Sequence, residues 1–213
     1  EQRSELARGE GAIASVTGQR PVGFRAPGYN ISADLLGICQ SRDYLYDSSI
    51  FPCPPYYLAK SAIMAWQKLR GRPSRSSRTP ASNLLAPLDL YRPDRTKIWR
   101  SNPDSGMPLE IPMCLVPGLR LPVIGTSLHL MGARGFEVVY PLLRRKYDRI
   151  LNLEFHAIDL IDQTDADDGE RLAEIQPDLR IPWETKRQRY VDILTQVRED
   201  YVFEPLETAV QRL

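Results

Sequence analysis

Apolar positions along the chain alternate between short runs and helical stripes. Leu6, Ile13 and Val16 punctuate the otherwise polar residues 1–17, and Gly18 follows where a helix would stop, which predicts an opening helix. Residues 22–24 form a brief apolar run closed by Pro27 and Gly28, a short strand. Ser32 stands as an N-cap before "ADLLGICQS", whose Leu35, Leu36, Ile38 and Cys39 supply an inward face. "YLYDSSIFP" predicts a strand and turn, and residues 56–71 a helix with a glycine stop.

Residues 72–106 lose this periodicity. They are rich in Arg, Ser, Pro and Asn and read as an irregular insertion at the surface, its arginines a solvated face or, alternatively, a seat for an anion. Order returns with "PLEIPMCLVPG" and "LRLPVIG", two strand-like runs, then "GFEVVYPLLRRKYD" as an amphipathic helix. "RILNLEF" predicts an apolar strand ending at His156. An acidic loop, a helix over 183–199, a short strand "YVF" and a last helical turn in "PLETAVQRL" complete the chain. Strands alternating with helices, with no internal repeat, predict an α/β fold on a parallel sheet, open or closed into a barrel.

Composition narrows the classes. With 213 residues, 42% of them hydrophobic, the chain is long enough for one domain with a core. Lysine and arginine (28) balance aspartate and glutamate (27), so no global field steers it to nucleic acid or to a membrane surface. No apolar stretch approaches the roughly 18 residues of a membrane span. Cys39, Cys53 and Cys114 form no CxxC pair and leave an odd thiol, which predicts buried or free cysteines instead of a disulfide framework. The opening "EQRSELARGEGAIASVTG" has no hydrophobic leader and reads as if it began within a helix.

Two side chains concentrate the chemistry. Arg25 follows the first strand and His156 follows a late one, and in parallel α/β folds the carboxyl ends of strands share one face, where ligands gather. The two are therefore expected at one site; the competing reading is an arginine tied to a backbone carbonyl and a core histidine. A charged tip on a buried strand is costly unless paired. His129, in "GTSLHLMG", has no acidic or nucleophilic neighbour in sequence and is expected to be structural or at a rim. "DQTDADDGERLAE" fails as a calcium loop, because aligning Gly169 with the loop glycine puts Thr164 and Ala166 where oxygen ligands are required. Ser48 and Ser49 lack a nearby histidine. Glu154, Asp159 and Asp162 remain as paired carboxylates for a glycosidase, with Glu154 expected to face away from the others.

"GFRAPGYN", "YLYDSSIFP", "LEIP…LRLPVIG" and "ILNLEFHAIDLID" occur in an order and spacing that resembles the polysaccharide deacetylases of carbohydrate esterase family 4, most closely the exopolysaccharide and peptidoglycan branch. The resemblance covers most of the chain. It implies an irregular (β/α)7 barrel and metal-dependent removal of N-acetyl groups from a polysaccharide of the bacterial envelope. By the same resemblance Arg25 holds the catalytic base carboxylate, the Gly28 N–H helps bind the oxyanion, and His156 protonates the departing amine. Asp159 matches the acidic position of an F-H-x-W-E pattern. Leu121 and Pro122, with Leu153, either line a pocket for the acetyl methyl or pack in a core.

The family's T-F-D-D and H-S-x-x-H runs, which carry its divalent metal, usually zinc, are not in this sequence. Residues 1–213 are then expected to be the carboxyl-terminal portion of a single deacetylase domain, lacking the first strands of the barrel. That portion is expected to be inactive alone, with an uncovered sheet edge that favours association. The alternative is a non-catalytic carbohydrate-binding remnant of the same fold. The expected partner is an N-acetylated glycan, with no nucleic acid; the compartment (cytoplasm or cell envelope) and the oligomeric state stay open.

Overall fold

In a computed structural model, which describes residues 1–71 and 80–213, the chain is mixed α/β. It divides into two compact units, Glu1–Met113 with Glu204–Leu213, and Cys114–Phe203. Among the described residues no helix is long and apolar enough to cross a membrane.

The first unit is built on three parallel strands in the order β1-β2-β3: β1 (Gly23–Phe24), β2 (Tyr46–Asp47) and β3 (Leu109–Glu110). Gly23 pairs with Tyr46 and Tyr46 with Leu109; Phe24 pairs with Asp47 and Asp47 with Glu110. Around them lie α1 (Gln2–Thr17), α2 (Ala33–Gln40), α3 (Pro54–Leu69) and the short α7 (Leu206–Gln211). The local signals act as expected. The Ser32 side chain accepts from Leu35 N and caps α2, and the Gly18 N–H closes α1 on Ala14 O. α3 starts two residues before the expected 56, because Pro54 and Pro55 suit a first helical turn whose N–H groups have no partner anyway. Cys39, Cys53 and Cys114 are free and buried.

The expected surface insertion is corrected. Residues 72–79 lie outside the described residues, but 80–106 contribute to the core: Ala86, Tyr91 and Ile98, together with the adjoining Met107, pack with Ile31, Leu36 and Ile50. The polar composition of this stretch misleads because its polar groups satisfy its own backbone. Asp94 Oδ1 accepts from the N–H groups of Thr96 and Lys97, Arg92 donates to Met107 O at 2.7 Å, and Arg95 donates to Ser105 O at 2.8 Å.

Helix α1 is held by one ion cluster. Glu10 is buried; Arg42 Nε donates to its Oε1 at 2.7 Å, Arg42 Nη2 donates to Oε2, and Arg20 Nη2 lies 3.6 Å from Oε1. The bond from Arg42 holds the Glu10 carboxyl below its usual range, against its burial. A depressed carboxylate stabilises the fold above its unfolded value and loses that contribution as pH falls through the folded one. Glu10→Gln is therefore expected to lower the melting temperature at neutral pH and to flatten the acid limb of the stability profile. Parallel acid limbs for the variant and the natural chain would show that the cluster contributes nothing.

The second unit carries α4 (Gly125–Lys146), α5 (Gly169–Ile175) and α6 (Trp183–Arg198), with α4 packed on α6. α4 begins well before the expected helix and is broken at Gly132, with φ 61° and ψ 179°. "GTSLHLMG" is thus a helical segment, not a strand or loop. The runs "LRLPVIG" and "RILNLEF" make only isolated bridges, Leu115 with Pro122 and Ile124 with Glu154, since Pro117 and Pro122 lack the N–H a ladder needs. "YVF" forms no strand; Val202 and Phe203 are exposed, so no burial rewards an extended pairing. The acidic loop contains α5, which sequence periodicity did not indicate.

Candidate functional site

The carboxyl ends of the three strands each carry a charged residue. Arg25 follows β1, Asp47 ends β2 and Glu110 ends β3. Arg25 is half-buried; its Nε donates to Ser48 O and its Nη2 to Ser48 Oγ, both at 2.9 Å. Asp47 and Glu110 are fully buried, and as register partners they stand side by side. Asp47 Oδ1 accepts from Ser49 Oγ at 2.6 Å, and Glu110 Oε1 accepts from Ile50 N at 2.9 Å. Burial pushes both carboxyls up, Glu110 well above the usual range because the Asp47 charge adds to its burial. Sequence reasoning used "YDSS" and "LEIP" as signatures and passed over their acids. The signal was there: a carboxylate at the end of each of two apolar runs.

The chain after Arg25 turns sharply. Gly28 and Tyr29 both take left-handed backbone, φ 61° and 62°, and Tyr29 is held there by ring contacts with Phe51 at 4.8 Å and Tyr56 at 5.5 Å. Gly28 is exposed, and its carbonyl accepts from Lys60 Nζ at 3.2 Å.

In the second unit His156 stands exposed between two buried carboxylates. Its Nε2 is 3.9 Å from Glu154 Oε1 and its Nδ1 is 3.8 Å from Asp159 Oδ2. The turn that follows is closed both ways: His156 N donates to Asp159 Oδ2 at 2.8 Å, and Asp159 N donates to His156 O at 2.9 Å. Thr126 Oγ1 donates to Asp159 Oδ1 at 3.2 Å. Gly125 makes this possible, because a Cβ there would overlap the Asp159 carboxylate, while its own N–H donates to Glu154 O at 2.8 Å. From beneath, the fully buried Lys186 of α6 donates to Ile161 O at 2.7 Å and to Ile158 O at 3.4 Å. A solvent-facing imidazole whose two nitrogens each meet a carboxylate is suited to proton transfer.

The structure brings His156, Asp159 and Glu154 together; the expectation that Glu154 faces away is corrected, since residue 154 pairs only at an isolated bridge and its side chain turns toward His156. Asp162 is committed elsewhere. It accepts from Thr164 Oγ1 at 2.6 Å and from Trp183 N at 2.6 Å, and these bonds hold its carboxyl at about 2. His129 is buried in α4, with Nε2 3.2 Å from Asp159 O and its ring 4.3 Å from that of Tyr190, a structural placement. Leu121 is exposed, and Pro122 and Leu153 are half-buried. Ser48 Oγ accepts from Arg25, and Ser49 Oγ donates to Asp47. Among the described residues no group of three or more His, Cys, Asp or Glu side chains is arranged to hold a metal ion.

Comparison with known proteins gives a local likeness. No family profile matches the chain, and no solved structure matches it. A stretch of 36 residues, 17% of this chain, is 50% identical to "Peptidoglycan deacetylase-like protein FGM2" of Gibberella zeae, and the match spans only 11% of that protein's length. At the coarsest level, this short match points to a relationship with the polysaccharide deacetylases.

Proposed function

We propose that this chain belongs to a polysaccharide deacetylase that hydrolyses N-acetyl groups from a glycan, with both units forming part of one deacetylase-like domain on an irregular (β/α)7 barrel. The observation that carries the reading is the exposed His156 imidazole between the Glu154 and Asp159 carboxylates. The 36-residue likeness to a peptidoglycan deacetylase-like protein supports it.

In deacetylation the oxygen of water bonds to the acetyl carbon, the C–N bond breaks, and acetate and a free amine leave. An amine departs poorly unless its nitrogen takes up a proton. His156 supplies that proton from the solvent side, and Asp159 positions the ring by fixing the backbone of residue 156. Arg25 contributes a guanidinium that orients a carboxylate, and the Gly28 N–H serves the developing oxyanion. Leu121 and Pro122, with Leu153, receive the acetyl methyl. The divalent ion, zinc by the resemblance, finds no ligand set among the described residues, so no step is assigned to it.

The deciding measurement incubates the intact protein with N-acetylated oligosaccharides and follows acetate and reducing ends together. Acetate release at constant chain length is expected. New reducing ends without acetate would replace this reading with glycoside cleavage by the carboxylates. Glycan binding with neither product would identify a carbohydrate-binding remnant.

A further inference from the structure

We propose that His129 is a positioning residue for His156, gripping the turn at residues 155–159 by both ends. Its service to catalysis rests on the deacetylase reading; its hold on the turn does not.

The contacts all lie in the second unit. His129 is 1% exposed, and its Nε2 stands 3.2 Å from the Asp159 carbonyl oxygen. A carbonyl only accepts, so the imidazole carries a proton on Nε2 and donates it there; the other neutral tautomer would set a lone pair against that oxygen. Asp159 closes the turn on His156 with its own N–H and carboxylate, so a donor fixed on its carbonyl fixes the far end of the turn. The near end is reached through rings. The His129 ring packs on that of Tyr190 at 4.3 Å, and Tyr190 meets Phe155 edge-on at 5.1 Å, one residue before His156.

His129 is itself held in place. Close to the break of α4 at Gly132, its carbonyl accepts from Arg189 Nη1 of α6 at 2.9 Å. The ring is kept uncharged as well. Burial opposes a second proton first, and the positive charges of Lys186 and Arg189 on α6 add to it. The Asp159 carboxylate pulls the other way, but its two oxygens already take His156 N and Thr126 Oγ1. Tyr190, the other ionisable group against the ring, stays neutral because burial pushes its hydroxyl up. A neutral ring with one committed proton therefore reaches Asp159 from α4, while Lys186 reaches the carbonyls on either side of it from α6.

Two variants separate this grip from simple packing. His129→Gln keeps an N–H donor on a side chain of similar reach, whereas His129→Phe keeps a ring against Tyr190 and has no proton to give. Hydrogen exchange of the His156 and Asp159 amides, set against that of the buried Ile193 within α6, reads the turn against the body of the unit. In His129→Phe the two turn amides are expected to exchange about tenfold or more faster relative to Ile193, and in His129→Gln to return close to the natural rate. The pH dependence carries the second readout. A histidine lowered in the folded state leaves stability whole above its unfolded value, about 6.5, and costs stability as pH falls through the folded one. His129→Gln should thus gain melting temperature relative to the natural chain as pH falls from about 6.5. Where acetate release is observed, kcat should fall in His129→Phe and recover in His129→Gln at unchanged KM.

Turn amides that merely follow Ile193 in His129→Phe, no recovery in His129→Gln, or a pH-independent difference in melting temperature overturns the proposal. An unchanged kcat in His129→Phe overturns its service to catalysis. Should His129→Phe not fold, nitrogen NMR of the natural chain decides: a neutral ring protonated on Nε2 and coupled across the hydrogen bond to Asp159 supports the grip, and the Nδ1–H tautomer sinks it. No substrate enters the exchange, melting or tautomer measurements, so they can succeed where acetate release fails, and fail where it succeeds.

Discussion

His156→Ala is expected to lower turnover on an N-acetylated glycan by about 10²–10⁴, the range for losing a general acid. The side chain is 57% exposed and makes only long contacts with its two carboxylates, at 3.8 and 3.9 Å, so its removal opens no cavity. The melting temperature should therefore move little, since exposed substitutions usually stay within about 0.5 kcal/mol. The loss should fall on kcat, with KM nearly unchanged, because the proton is needed only as the C–N bond breaks. Turnover within a few-fold of the natural protein would remove His156 from the chemistry. A parallel collapse of stability would instead make it structural.

Lys186→Ala is expected to cost about 3 kcal/mol or more, through a cavity and two carbonyls left without a donor. The ammonium sits inside the second unit and bonds the carbonyls of Ile158 and Ile161 at either end of the turn that carries Asp159. Lys186→Met separates the two contributions. Methionine restores most of the volume and no donor, so it should recover part of the loss and still fall short by about 1–3 kcal/mol. Chemical denaturation of the three proteins at one pH makes the comparison. A Met variant as stable as the natural chain would show that shedding the buried charge offsets the lost hydrogen bonds.

The two residues share a logic. His156 faces solvent only because the turn behind it is fixed, and that turn is fixed by buried polar groups. Asp159 closes it from one side, Lys186 from beneath, and Gly125 leaves the space that the Asp159 carboxylate fills. A loop carrying a reactive side chain gains its precision from such support, since it has no ladder of its own.

Local chemistry was legible from residue order. Ser32 capping α2, the end of α1 at Gly18, the extent of α6 and the three free cysteines follow from propensities that act within a few residues. His156 could be singled out as a histidine ending an apolar run, and the structure leaves it exposed beside Glu154 and Asp159. The acids of "YDSS" and "LEIP" stood in view as carboxylates ending apolar runs, but their burial and pairing did not, because these depend on neighbours far along the chain. Residues 80–106 were misread for the same reason: an arginine-rich stretch looks solvated until its guanidinium groups meet backbone carbonyls.

By itself the order of residues determined where helices cap, which faces are apolar, and which side chains can carry a proton. Only the tertiary structure decided that Asp47 stands beside Glu110, that Glu154 turns toward His156, and that Lys186 is sealed beneath a turn. Capping and periodicity are set over a turn or two of chain, whereas the ionisation and role of a buried polar group are set by what desolvates it and what remains to bond it.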